Sequence, residues 1–169
     1  VTTLDLRSIR LRPGEQWTGV RDVELEPLTI GGQQYAPDPA EPHATVLLTR
    51  TSGGLVLELD LEARLAGPCF RCLTDTELKT HIHAREYQAS DPDGDEELET
   101  PYLEHDVVDL SRWARDAVAL ALPDKILCRD DCAGLCPICG GDLNRERHEH
   151  EEADSDPRWA ALGELRDRL

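Results

Sequence analysis

Six cysteines stand in two groups, and their spacing is the strongest chemical signal in the chain. The first group is Pro68-Cys69-Phe70-Arg71-Cys72-Leu73. The second runs Cys128-Arg129-Asp130-Asp131-Cys132-Ala133-Gly134-Leu135-Cys136-Pro137-Ile138-Cys139-Gly140-Gly141. A Cys-x-x-Cys pair followed by a small residue is the pattern of a metal knuckle, in which two thiolates aim at one ion from a tight turn whose amides hydrogen-bond the sulfurs. Two such pairs meeting in space complete a tetrahedral site. The candidate metal ligands are therefore Cys69, Cys72, Cys128, Cys132, Cys136 and Cys139, and the expected ion is a structural Zn2+. Either Cys69 and Cys72 join two thiols of the second cluster, or Cys128, Cys132, Cys136 and Cys139 close a local site by themselves. The long-range arrangement is favoured, because a Cys-x-x-Cys at a strand junction has little other use. Between the 128/132 and 136/139 pairs the spacing does not choose.

Other uses of the thiols fit less well. Nothing indicates export, and a cytosolic chain keeps its cysteines reduced, which argues against disulfides. A thioredoxin-like redox pair belongs at a helix N-terminus, whereas Cys69 and Cys72 lie between two strand patterns. Cys132, Cys136 and Cys139 match the Cys-x3-Cys-x2-Cys spacing of a radical-SAM cluster, but that motif opens a much longer α/β barrel. Ferredoxin spacing is absent. Of the histidines, His81 and His83 share one strand face and His148 and His150 lie in a charged stretch, so all four read as solvated surface. No phosphate-binding glycine loop, nucleophile elbow or His-Glu-x-x-His occurs, and the expectation is a protein that is not an enzyme and has no small-molecule substrate.

The elements that must carry these cysteines are legible in part. Leu4 to Leu11 alternates weakly and reads as a short strand or extended arm ending at Pro13-Gly14. Residues 31–44 are a Gly/Pro-punctuated connection. Thr45–Thr51 and Leu55–Ala66 read as strands joined by a tight turn at Ser52-Gly53-Gly54. In the second of these, Leu55, Leu57, Leu59, Leu61, Ala63 and Leu65 fall on one face and Glu58, Asp60, Glu62 and Arg64 on the other, with Val56 the exception. Glu77–Tyr87 continues with Leu78, Thr80, Ile82 and Ala84 on one side. The period then lengthens. Leu110, Trp113, Ala114, Ala117, Val118 and Ala121 form a helical stripe, with Asp109 or Ser111 as N-cap and Pro123 as the stop. A second helix is expected from Asp156-Pro157 to Leu169.

The fold class that follows is α+β: an antiparallel β-meander or partly open barrel, one or two helices, and a Cys-rich zinc-binding C-terminal lobe. The expected organisation is a β-rich domain over 1–127 with a helix near 109–122, a Cys-rich knuckle lobe over 128–144, a charged linker over 145–155 and an amphipathic helix over 156–169.

Charge sets the class of partner. The 169 residues carry 18 Lys and Arg against 35 Asp and Glu, a net charge of −17. Such a balance disfavours a broad phosphate-binding surface and favours basic partners. The excess is concentrated: between Tyr87 and Ser111 there are nine acidic residues and no Lys or Arg. Asp91, Asp93 and Asp95 alternate as in a calcium loop, but Glu96 and Tyr102 stand where an EF-hand needs Gly and a bidentate Glu. The segment is instead expected to be a solvated loop whose Asp91, Asp93, Asp95, Glu96, Glu97 and Glu99 form a docking surface for a basic protein. The terminal helix either packs on the domain or carries Trp159 to a partner. The longest apolar run, Ala117 to Leu122, is far short of the ~20 residues of a membrane span. With no apolar leader behind a basic start, although the chain opens on Val1, the expected setting is the cytoplasm.

Cys69-Phe70-Arg71-Cys72-Leu73 after a long strand, Leu120-Ala121-Leu122-Pro123 at a helix end, the Cys128 to Gly140 block with Asp142-Leu143-Asn144, and Asp156-Pro157-Arg158-Trp159 follow one another in an order that resembles the bacterial and plastid YceD family, known as large ribosomal RNA subunit accumulation proteins. The resemblance reaches back to Asp5-Leu6-Arg7. The resemblance implies a role in accumulation or processing of the large-subunit ribosomal RNA, hence in ribosome assembly. It also fits the association of that family with a neighbouring gene for a small zinc-bearing ribosomal protein. It brings no catalytic residues. Joined to the charge, it points to an acidic adaptor for a basic ribosomal protein or assembly factor that meets the RNA only indirectly or weakly. The alternative is direct RNA binding through a small basic patch of Arg71, Arg129, Arg145 and Arg147 beside the knuckles.

Overall fold

The leucine alternation between Leu55 and Leu65 builds the strand around which the protein is organised. A computed structural model describes residues 1–91, 95, 98–146 and 148–150, and the chain divides into two compact units, Val1–Cys132 and Ala133–Leu169. In the first unit the order is β1 (Thr3–Asp5), a 3-10 turn (Leu6–Ser8), β2 (Gln16–Asp22), β3 (Leu28–Ile30), β4 (Gln33–Pro37), β5 (His43–Arg50) and β6 (Gly54–Pro68). It continues through β7 (Asp75–Ala89), β8 (Leu103–Glu104), β9 (Val107–Asp109) and α1 (Leu110–Ala121).

Every strand pair is antiparallel. Strand β6 is the centre of the larger sheet. One of its edges is shared end to end by β5, over Leu55–Leu61, and by β4, at Leu65 and Ala66; the other is covered along its whole length by β7. Strand β2 pairs with β5 and β3 with β4, so the sheet stays open, as does the small sheet β1-β9-β8. The meander is thus formed, and the partly open barrel resolves to open sheets. The β5–β6–β7 segment follows the sequence pattern closely: Leu55, Leu57, Leu59, Leu61, Ala63 and Leu65 are all buried, while Glu62 and Arg64 opposite them are exposed. Val56 is also buried.

Residues 31–44 differ from the reading as a plain connection. Gly31 and Gly32 adopt φ +57° and +82°, the left-handed conformations of a two-residue hairpin turn, and β3 and β4 flank them. A strand this short shows no alternation long enough to read. It is held by one buried ring: Tyr35 is 1% exposed and its hydroxyl donates to the Pro68 carbonyl at 2.8 Å.

Helix α1 begins where Asp109 caps it, the carboxylate accepting from the Arg112 amide at 3.0 Å. It buries Leu110, Trp113, Ala114 and Val118 into the same core and packs against β7 and β1. After α1 the chain runs back to the β6–β7 connection, where the Phe70 amide donates to the Ile126 carbonyl at 2.8 Å and Ile126 is buried. That return brings Cys128 and Cys132 to Cys69 and Cys72. The helix expected over 156–169 lies outside the described residues.

Candidate metal centres

The six-residue connection between β6 and β7 is a knuckle. The Cys69 amide donates to the Thr74 carbonyl at 2.8 Å and the Leu73 amide to the Cys69 carbonyl at 3.0 Å, with Leu73 itself left-handed at φ 60°. This turn aims the sulfurs of Cys69 and Cys72 to one side. Cys128 and Cys132 arrive from the segment after α1, anchored by the Arg71 guanidinium, which donates to the Cys132 carbonyl at 2.8 Å. All four sulfurs lie within 4.8 Å of one another, with Cys69 to Cys132 at 3.8 Å and Cys72 to Cys128 at 3.6 Å. A tetrahedron built on metal–sulfur bonds of about 2.3 Å has an edge of about 3.8 Å, so the sulfurs already stand at coordination spacing. Cys69, Cys72 and Cys132 are buried and Cys128 is exposed.

The electrostatics of this cluster favour a cation. Burial alone would raise the Cys69 thiol, but amides of Cys72, Cys128 and Arg71 directed at its sulfur outweigh that and bring it to about 6. Cys72 is also lowered, chiefly by the Thr74 hydroxyl 3.0 Å away. Cys128 moves the other way, to about 12, because desolvation and the sulfurs of Cys72, Cys132 and Cys69 oppose its ionisation. Four thiolates this close ionise together only around a positive charge.

The second unit gathers a different donor set. Cys136, Cys139, His148 and His150 present ligand atoms within 4.8 Å of one another. The Cys136 sulfur stands 3.2 Å from His150 Nε2, and the Cys139 sulfur 3.1 Å from His148 Nε2. Here the knuckle is closed by the Gly140 amide donating to the Cys136 carbonyl and the Cys136 amide to the Gly141 carbonyl, both at 2.8 Å. The two glycines are needed for separate reasons. Gly140 is left-handed at φ +71°, and a Cβ on Gly141 would stand 3.2 Å from His148 Cε1 and 3.3 Å from the Cys139 sulfur. Cys136 is held near 6 by the amides of Cys139 and Ile138, and His148 is raised by the nearby Cys136 sulfur and the Glu146 carbonyl.

Each cluster could therefore hold one metal ion. Of the cysteine pairs that the spacing left open, 128/132 groups with Cys69 and Cys72, while 136/139 groups with two histidines. His81 and His83 are exposed, as expected, and flank the Asp60 carboxylate at 3.1 and 3.6 Å. His148 and His150 depart from the reading as solvated surface, because both are half-buried against sulfur. A count of donors was the available signal: two tetrahedral sites need eight, and six thiols leave two to be found.

The acidic residues are placed in part. Asp91, Asp95 and Glu99 are exposed, while Asp93, Glu96, Glu97 and Trp159 lie outside the described residues. The segment leaves the end of β7, and its return is fixed where the buried Thr100 donates its amide to the Gln88 side chain at 3.0 Å. Among the described residues no helix is long and apolar enough to cross a membrane.

Comparison with known proteins adds a family. A family model described as large ribosomal RNA subunit accumulation protein YceD matches residues 57–166. Uncharacterized proteins of Mycobacterium tuberculosis and Mycobacterium bovis are each 34% identical over 170 residues, covering 96% of this chain and 80% of theirs. An Arabidopsis thaliana protein named large ribosomal RNA subunit accumulation protein YCED homolog 1, chloroplastic, is 31% identical over 62 residues, 37% of this chain and 19% of its own. No solved structure matches the chain.

Proposed function

The chain belongs to the YceD family, and on that premise we propose that it supports accumulation of the large-subunit ribosomal RNA as a non-catalytic scaffold clasped by zinc. The observation that carries the role is the family match over residues 57–166, which runs from within β6 through β7, α1 and both cysteine clusters. Depletion of the protein should lower the ratio of large- to small-subunit ribosomal RNA. An unchanged ratio overturns the role.

Zinc is the ion that four thiolates at tetrahedral spacing suit best, since it is redox-inert and tolerates a closed all-sulfur site. A site whose four positions are taken by Cys69, Cys72, Cys128 and Cys132 leaves none for a substrate, which supports structure over catalysis. Reduced thiols of this kind suit the cytoplasm. Elemental analysis of reduced protein tests the ion, and iron in place of zinc would reverse the assignment.

The partner we propose is a basic ribosomal protein or assembly factor, held by the acidic segment around Asp91, Asp95 and Glu99. Its support is a run of nine carboxylates with no Lys or Arg between Tyr87 and Ser111. Contact with the ribosomal RNA would then be indirect or weak. Pull-downs comparing the parent with a variant bearing Asn or Gln at Asp91, Asp93, Asp95, Glu96, Glu97 and Glu99 test this. Undiminished recovery of basic partners removes the segment from the mechanism.

Direct RNA binding is the second reading. Of the arginines expected to form its patch, Arg129 pairs with Asp131 at 3.2 Å and Arg145 with Asp142 at 3.5 Å, which offsets their charge, while Arg147 lies outside the described residues. One observation elsewhere favours it: Arg10, Arg12 and Arg50 line an open cleft over Leu48 and Leu55. Glu15, Glu99 and Asp106 line the same cleft and offset their charge. Mobility shifts with large-subunit RNA fragments separate the two readings, since the adaptor forms no tight complex at physiological salt.

A further inference from the structure

We infer that residues 133–150 are a metal-folded module, in which Cys136, Cys139, His148 and His150 bind a second divalent ion of the zinc type and the fold of this segment depends on it. The first support is the donor chemistry. Two thiols and two imidazoles within 4.8 Å form a complete tetrahedral set, with donor types that favour a borderline-soft ion over calcium or magnesium.

The second support is the orientation of a ring. His148 Nδ1 lies 3.2 Å from the Glu146 carbonyl, so the Nδ1 proton is spent on the backbone and Nε2 is left as the lone-pair atom beside the Cys139 sulfur. A carbonyl behind a ligating imidazole is the usual way a protein fixes the tautomer that a metal needs.

The third support is what the module lacks. Among its described residues Cys136 alone belongs to the buried apolar set, Leu135 and Leu143 are half-buried, and Ile138 is 70% exposed. The other bonds among its described residues include local ones. Leu135 bridges Asp142, the Leu143 amide reaches the Gly134 carbonyl at 3.0 Å, and Asn144 joins the Ala133 amide to the Asp142 carboxylate. A segment this short cannot offset its chain entropy with so little apolar burial. In small domains of that kind the metal takes the place of the core, and binding and folding are one event.

The test uses the full chain, reduced, stripped and reloaded with cobalt(II). Native mass spectrometry of the parent should count two ions. The His148→Ala/His150→Ala variant should retain one and lose the sulfur–nitrogen part of the cobalt spectrum. Amide resonances of residues 133–150 should collapse to the unfolded range in that variant while those of β5, β6 and β7 keep their dispersion. Two ions with the parent spectrum in the variant would overturn the site, and undisturbed resonances would overturn the dependence on metal. The companion variant Cys69→Ser/Cys72→Ser should lose the other ion only, so failure of the first centre and failure of this one give different results.

Discussion

The two cysteine clusters present the same number of donors from similar knuckles, yet they stand in opposite surroundings. The first sits at the end of the β6–β7 hairpin, with three of its sulfurs buried, in a unit whose core already contains the β6 leucines, Tyr35, Trp113 and Ile126. The second closes a segment in which, among the described residues, only Cys136 joins the buried apolar set. A metal at the first joins segments more than fifty residues apart, Cys69 to Cys132 and Cys72 to Cys128, in a unit that has apolar burial besides. At the second, on the inference drawn above, it would be the main source of structure for residues 133–150. Similar chemistry can therefore be a brace in one place and a foundation in another, and apolar area decides which.

The contrast can be broken most directly at the brace. Cys69→Ser places an ill-fitting ligand at a position that is 0% exposed, and loss of a metal ligand belongs with the largest mutational effects, about 4 kcal/mol or more. Urea unfolding should show that loss, and the second ion should remain bound. A smaller loss than that of an ordinary core truncation would mean that no metal braces this unit.

Leu59→Ala supplies that comparison. Leu59 is fully buried in the middle of β6, and its truncation should cost about 2–5 kcal/mol. Metal content, measured by elemental analysis, should stay at the parent value at both centres.

Asp109→Ala removes the cap of α1 and should cost about 1 kcal/mol in the same unfolding assay. The cobalt spectrum of either centre should not change, because the capped end of the helix is distant in sequence from every ligand.

The smallest effect is a pH dependence confined to the first unit. Tyr102 stacks on Trp113 with ring centroids 6.0 Å apart. Its phenol is raised above its usual value, first by burial and then by the charges of Asp116 and Glu86. A folded-state pKa above the unfolded value means that the stability is complete below about pH 10 and is lost as pH rises through the folded value. Tyr102→Phe should flatten that alkaline limb in thermal melts recorded from pH 8 to 11. An equally steep limb in the variant would assign the loss to other groups.

Much of the frame was legible beforehand. The β5–β6–β7 meander and α1 follow from the period of the apolar residues and one capping aspartate. Strands β2, β3 and β4 were not legible, since β2 has no fully buried side chain to mark its period and β3 and β4 are too short to show one. Tyr35 holds β4 through a ring and a hydroxyl bond to Pro68, and neither leaves a local pattern.

For the metal centres the division is sharper. The sequence by itself determined the knuckles, because the direction of two sulfurs three residues apart depends only on the turn between them. It also determined that more than half of the acidic excess lies in one segment. Only the tertiary structure decided which pairs share a cluster, since that depends on how far β6 and β7 run before they turn and where the chain lands after α1. The two histidines belong to the same class of fact. Nothing within three or four residues of His148 or His150 distinguishes a ligand from a solvated side chain, and the difference arises only when a folded backbone carries the ring back to a sulfur.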